Sequence, residues 1–237
     1  MQFHRYNLIH ALAATAVLVF AVSKNFWHNF LHGAFSSPPA PRLVLVMLGV
    51  QAALFGGLLF VLWVSTLFIK KPVSDGVQTD GGAWRALRLA AVAFVPIALG
   101  AFALEWLSTT VLEHVFHLKP AGQDLVKWFQ PGTYPTGVRL VLMGFVLFEA
   151  PLLEEPLFRG ILFRGLNKTC PIGVAMATSG LVFAIIHVNA ATLVPLWFLG
   201  VAFAWLYWCT GSILAPMFAH FLFNATNLAL ILAGVVD

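Results

Sequence analysis

The residues able to do chemistry are few, and they lie inside apolar sequence. Glu149, Glu154, Glu155 and Arg159 fall within one hydrophobic stretch, 138–166, among Leu, Phe and Pro. Ionisable groups in hydrocarbon are costly, so each needs a partner or a task. On a helix Glu155 and Arg159 are four apart, share a face and can neutralise each other. Glu154 points about 100° away from Glu155, outside that pair, and is the candidate general base. The same residues also fit a buried salt-bridge network that holds helices together, and spacing alone leaves both readings open. Pro156 removes a backbone donor inside the stretch, which frees a carbonyl and lets a helix bend.

Two later stretches each offer polar groups at helical spacing. One ends its apolar run in Phe183-Ala184-Ile185-Ile186-His187, so the Phe183 ring can wall one side of the imidazole. The other contains His220-Phe221-Leu222-Phe223-Asn224, two polar side chains on one face of an apolar helix. Taken singly, His187 reads as a helix-packing or interfacial histidine, and His220 with Asn224 as interhelical hydrogen bonds. Together, a carboxylate, two imidazoles and a carboxamide are the parts needed to hydrolyse an amide. The carboxylate deprotonates water, and the other groups donate to the oxyanion. The chain has no Gly-x-Ser-x-Gly elbow and no HExxH, so activated water is the economical chemistry.

These residues must be held by membrane helices. Hydrophobic residues make up 60% of the 237, and charged residues 9%, against roughly 45–50% and 25% in soluble domains. A soluble chain of this length cannot bury that much apolar surface in one core. Candidate spans lie near 7–23, 43–69, 88–110, 138–166, 173–193, 195–210 and 212–236. The predicted fold is therefore all-α: a polytopic membrane bundle of about seven helices, with the catalytic core in the C-terminal four. The run from Leu8 to Val22 lacks a small-x-small cleavage site and reads as a retained first helix. Between spans, Leu125-Val126-Lys127-Trp128-Phe129 forms an amphipathic patch that suits the membrane interface.

The net charge of +4 comes from Lys and Arg spread through connecting segments, with no basic run longer than Lys70-Lys71. That distribution sets topology and touches lipid head groups; no nucleic-acid partner is expected. Lys70, Lys71, Arg85 and Arg88 share a side with Arg159, Arg164 and Lys168, which predicts an inside N-terminus and an outside C-terminus. Lys119, Lys127 and Arg139 run against that rule. Cys170 and Cys209 form no CxxC and read as free thiols at helix ends. His28 with His32, and Glu113 and His114 with His117, sit at span ends, where histidine is commonly interfacial. Several tryptophans near span ends, among them Trp84 and Trp106, fit an aromatic belt.

The motifs together resemble one family. Glu154-Glu155-Pro156-Leu157-Phe158-Arg159 fits EExxxR, Phe183 to His187 fits FxxxH, and His220 to Asn224 fits HxxxN. Each is weak alone, but the ordered set on successive apolar segments is similar to the CAAX protease and bacteriocin-processing (Abi) group of intramembrane glutamic endopeptidases. The likeness covers about 138–236, so the expected division is 1–137, N-terminal helices and loops, and 138–237, protease core. The resemblance implies a catalytic cavity open toward one face of the membrane, with Glu154 activating water and His187 orienting it. It also implies an oxyanion site of His220 and Asn224, a brace of Glu155 and Arg159, and no metal or other cofactor. The expected substrate is a peptide or protein at the bilayer, cut near the membrane in a C-terminal tail or leader. The compact, loop-poor chain reads as a multi-pass protein of a bacterial inner membrane. Two alternatives stay open at this point: a zinc-dependent protease using Glu154, His187 and His220, and a non-catalytic scaffold or transporter.

Overall fold

Proline, glycine and asparagine set where the helices of this chain start, bend and stop. The computed structural model describes residues 40–46, 49–50, 53, 82–118, 128–129, 132–187 and 189–235. The expected span 7–23, most of 43–69, His28, His32 and residues 125–127 of the amphipathic patch lie outside these residues. Among the described residues there are helices and connecting turns, with no strand.

Helix α1 (Gly82–His114) is 33 residues long, about 50 Å at 1.5 Å per residue. That exceeds a hydrocarbon core of about 30 Å, so α1 extends past the expected 88–110 at both ends. Trp84 and Trp106 stand exposed near its two ends. The chain leaves α1 through His117, whose φ of 53° is left-handed.

Helix α2 (Thr136–Leu166) follows Pro135 and is long and apolar enough to cross a membrane. It is not regular. Two π-helical segments, Phe145–Glu149 and Pro156–Phe163, flank the short α-helical segment Ala150–Glu155. Pro151 and Pro156 stand at the junctions. A proline lacks the N–H that closes the i→i−4 ring, and the wider π turn absorbs the fault. The distortion expected at Pro156 is present, and Pro151 adds a second.

Helix α3 (Ile172–Ile185) spans 14 residues, only about 21 Å. The expected span 173–193 runs further than the helix, which stops at Ile185. Beyond its end, the Asn189 side-chain oxygen accepts from Ala191 N (2.9 Å) and Thr192 N (3.4 Å) where the chain turns toward the next helix. A local side-chain acceptor offers the backbone an alternative to the helix ladder. His187 thus sits just beyond the helix end, its N–H donating to Ala184 O.

Helix α4 (Leu193–Thr210) ends at Gly211, whose φ of 62° supplies the left-handed cap. Helix α5 (Leu214–Leu232) follows after a tight turn in which Thr210 Oγ1 accepts from Ser212 N at 3.2 Å. Among the described residues four helices, α1, α2, α4 and α5, have the length and apolarity to cross a membrane.

Ala86, Ala90, Ile97 and Ala101 of α1 pack with Leu199, Phe203 and Leu206 of α4 and with Ala215 and Ala219 of α5. α3 and α4 touch backbone to backbone. A Cβ on Gly200 would lie 2.5 Å from Gly180 Cα, and one on Gly180 would lie 2.9 Å from Val201 N. Small residues at such crossings let membrane helices approach closely. Trp197 Nε1 donates across the same seam to Ala177 O at 2.9 Å. Large apolar side chains such as Val92, Leu99, Leu140 and Leu152 remain exposed, as they would against lipid.

Candidate active site

The short α segment between the two π turns of α2 delivers Glu154 and Glu155 into the protein interior. Glu154 is 5% exposed, and Glu155 and Arg159 are 0% exposed. Arg159 Nη1 donates to Glu155 Oε1 at 2.9 Å, one helical step along α2. This is the pairing that the spacing predicted. A buried pair is tolerated only where further hydrogen bonds satisfy its remaining donors and acceptors.

Two such hydrogen bonds come from elsewhere in the chain. His220 on α5 places Nδ1 2.8 Å from the same Glu155 Oε1. Since that oxygen already accepts from a guanidinium, it is a carboxylate oxygen and the imidazole is the donor. Arg159 Nη2 donates to Gly200 O on α4 at 3.2 Å. The guanidinium carbon also lies over three rings, 4.7 Å from Phe183, 5.2 Å from Phe203 and 5.8 Å from Phe158. Such cation–π contacts suit a weakly hydrated guanidinium in a dry site. Glu155 Oε2 and Arg159 Nε have no hydrogen-bond partner among the described residues.

The expected residues around this pair fall into place as follows. Phe183 is buried and central: its ring meets His187 at 4.8 Å, Phe158 edge-on at 5.2 Å and His220 edge-on at 6.0 Å. His187 is part-buried, with Nδ1 2.7 Å from Phe183 O. A carbonyl only accepts, so Nδ1 carries the proton, and in the neutral ring Nε2 is the lone-pair nitrogen. Asn224 donates from Nδ2 to Val146 O at 2.9 Å, in the first π turn of α2.

Direct hydrogen bonds thus join Glu155, Arg159 and His220, while Phe183 links His187 to them by ring contact. Asn224 is tied to α2 instead, one helical turn beyond His220. Glu154 lies beside Glu155 at the end of the α segment.

Three contributors have no counterpart among the motifs. Phe203 stacks on His220 (5.3 Å, 28° between planes). Gly200 supplies a carbonyl, and Val146 anchors Asn224. Phe203 and Gly200 lie three apart on one face of α4, a helix without a charged residue, so polarity gave no signal for them. An apolar groove runs along α2 past Phe145, Glu149 and Leu152, with Leu45 and Gly49 as its other wall. Glu154 is not among the residues that line it. Glu149 Oε1 is buried there with no hydrogen-bond partner among the described residues.

No group of three or more His, Cys, Asp or Glu side chains is arranged to share a metal ion among the described residues. No curated protein and no solved structure matches the chain. A family model does match. Residues 136–226, from the start of α2 to Thr226 on α5, match the model described as type II CAAX prenyl endopeptidase Rce1-like. That segment holds every motif residue above, and the family is one of membrane proteases. With helices long enough to span a bilayer, this is an integral membrane protein whose segment 136–226 is similar to the Rce1-like type II CAAX prenyl endopeptidases.

Proposed function

We propose that the chain is an intramembrane endopeptidase that hydrolyses a membrane-proximal peptide bond with water activated by Glu154. The observation that carries this reading is the buried Glu155–Arg159–His220 chain beside Glu154.

Each residue then has a role. Glu154 takes a proton from water, and His187 orients that water through Nε2 while its Nδ1–H is held by Phe183 O. The water attacks the scissile carbonyl. His220, its Nδ1–H held by the Glu155 carboxylate, donates from Nε2 to the oxyanion, which needs the doubly protonated ring. Asn224 donates its second Nδ2 hydrogen to the same oxygen, the first being fixed on Val146 O. Glu155 and Arg159 hold His220 and the Glu154 backbone in place, and Phe183 sets the spacing of the two imidazoles. Collapse of the tetrahedral species expels the amine, which takes the proton that Glu154 received.

The substrate in this reading is the C-terminal tail or leader of a membrane-attached or exported protein, in a bacterial inner membrane. The protease core is 138–237, within a bundle of about seven helices. The packing of α1 on α4 and α5 supports a structural role for the N-terminal region. The test is cleavage of C-terminally tagged, membrane-proximal proteins in native membranes, wild type against Glu154→Gln. A product lost in the variant at unchanged expression supports the reading and identifies a substrate. The same products from both would remove Glu154 from the chemistry and favour a scaffold.

A further inference from the structure

The anchor of Asn224 on α2 has a cause in the sequence. In the first π turn the backbone donors reach back five residues: Ala150 N–H donates to Phe145 O. Continued by one residue, that register would give Val146 O the N–H of residue 151. Residue 151 is Pro151, which has none. Val146 O accepts from Asn224 Nδ2 instead, at 2.9 Å and across 78 residues of chain. A carbonyl without its helical donor needs a substitute in a membrane, where no bulk water can serve. One carboxamide hydrogen fills that need, and the planar group then aims its second hydrogen in a fixed direction.

We propose that Pro151 is a positioning residue for Asn224: by withholding an N–H, it leaves Val146 O open and so fixes the carboxamide. The inference rests on the reading of Asn224 as an oxyanion donor. It explains why a proline stands two residues beyond the π segment and three before Glu154, in a helix already irregular at Pro156. Substitution by alanine supplies the missing donor, which competes with the carboxamide for Val146 O and loosens its aim. A donor displaced by about 1 Å costs up to roughly a hundredfold in rate.

The experiment compares full-length wild type, Asn224→Ala, Pro151→Ala and the double variant, using the substrate found in native membranes. kcat and KM are expressed per folded molecule. A fifth protein carries lactic acid at position 151, which has the alanine side chain but an ester oxygen in place of N–H. Pro151→Ala is expected to lower kcat about ten- to a hundredfold with KM little changed. In the Asn224→Ala background it should add less than about twofold, because the positioned group is gone. The ester protein should cleave within about threefold of wild type.

Multiplying effects of the two substitutions would overturn the inference, since they would mean that Pro151 acts by shaping the helix alone. An ester protein well below wild type would overturn it as well, and that arm decides the matter even if Pro151→Ala does not fold. If Asn224→Ala cleaves as wild type does, the oxyanion reading itself falls, and the inference falls with it. Impaired Asn224→Ala beside unimpaired Pro151→Ala would leave the oxyanion reading standing and reject the role of Pro151 alone.

Discussion

Helix α2, which carries the buried Arg159, and helix α4, which receives it, could hardly differ more. α2 carries Glu149, Glu154, Glu155 and Arg159, contains Pro151 and Pro156, and alternates between α and π geometry. α4 is regular, has no charged residue, and ends at a glycine cap. Yet Arg159 depends on both: Glu155 on α2 neutralises it, and Gly200 O and Phe203 on α4 receive it. The irregular helix presents the reactive groups, and the regular one supplies a wall close and firm enough to hold them. The close approach comes from Gly180 and Gly200, which let α4 deliver a backbone carbonyl where a larger residue would push it away.

The comparison breaks most sharply at Arg159. Arg159→Ala leaves the Glu155 carboxylate buried without its guanidinium, and the expected cost is about 3–5 kcal/mol of stability. Thermal unfolding in detergent would show it as a lost or strongly lowered transition. Pairing Arg159→Met with Glu155→Leu should recover much of that loss while cleavage stays impaired, because an apolar pair is tolerated where a lone charge is not.

On the α4 side the effects are smaller. Gly200→Ala puts a methyl group 2.5 Å from Gly180 Cα, and overpacking of this kind costs about 1–3 kcal/mol. Gly180→Ala strains the same seam, so the two together should destabilise by less than their sum. Phe203→Leu removes a ring from both Arg159 and His220 and should cost about 1 kcal/mol. Measured again with Arg159→Met, its effect should shrink. Smallest of all, Val92→Leu on the exposed face of α1 should stay within about 0.5 kcal/mol of wild type. A large effect there would mean that α1 has a protein partner on its outer face.

The same contrast explains what could be read from the residues alone. Charge stands out in apolar sequence, so α2 announced itself: Glu155 and Arg159 pair at the spacing that predicted them. The i,i+4 sets Phe183/His187 and His220/Asn224 were legible for the same reason. The 2.8 Å contact between His220 and Glu155 spans 65 residues, and no local spacing encodes it. Phe203 and Gly200 were hidden because an apolar residue in a membrane helix looks alike whether it faces lipid or an arginine. The early end of α3 was hidden as well, because Ile186, Val188, Ala190 and Ala191 continue the apolar run past Ile185. Pro156 was readable as a distortion; that Pro151 opens a carbonyl for Asn224 required the π register itself.

The central claim is that Glu154 activates water without a metal ion. Its most direct test is the cleavage rate of the purified, reconstituted protein, stripped of metal by chelation, for wild type and Glu154→Gln. The account expects the stripped wild type to keep its full rate and Glu154→Gln to fall by at least about a hundredfold. A stripped wild type that is inactive and recovers with zinc would contradict it, and would reassign Glu154, His187 and His220 as ligands of that ion.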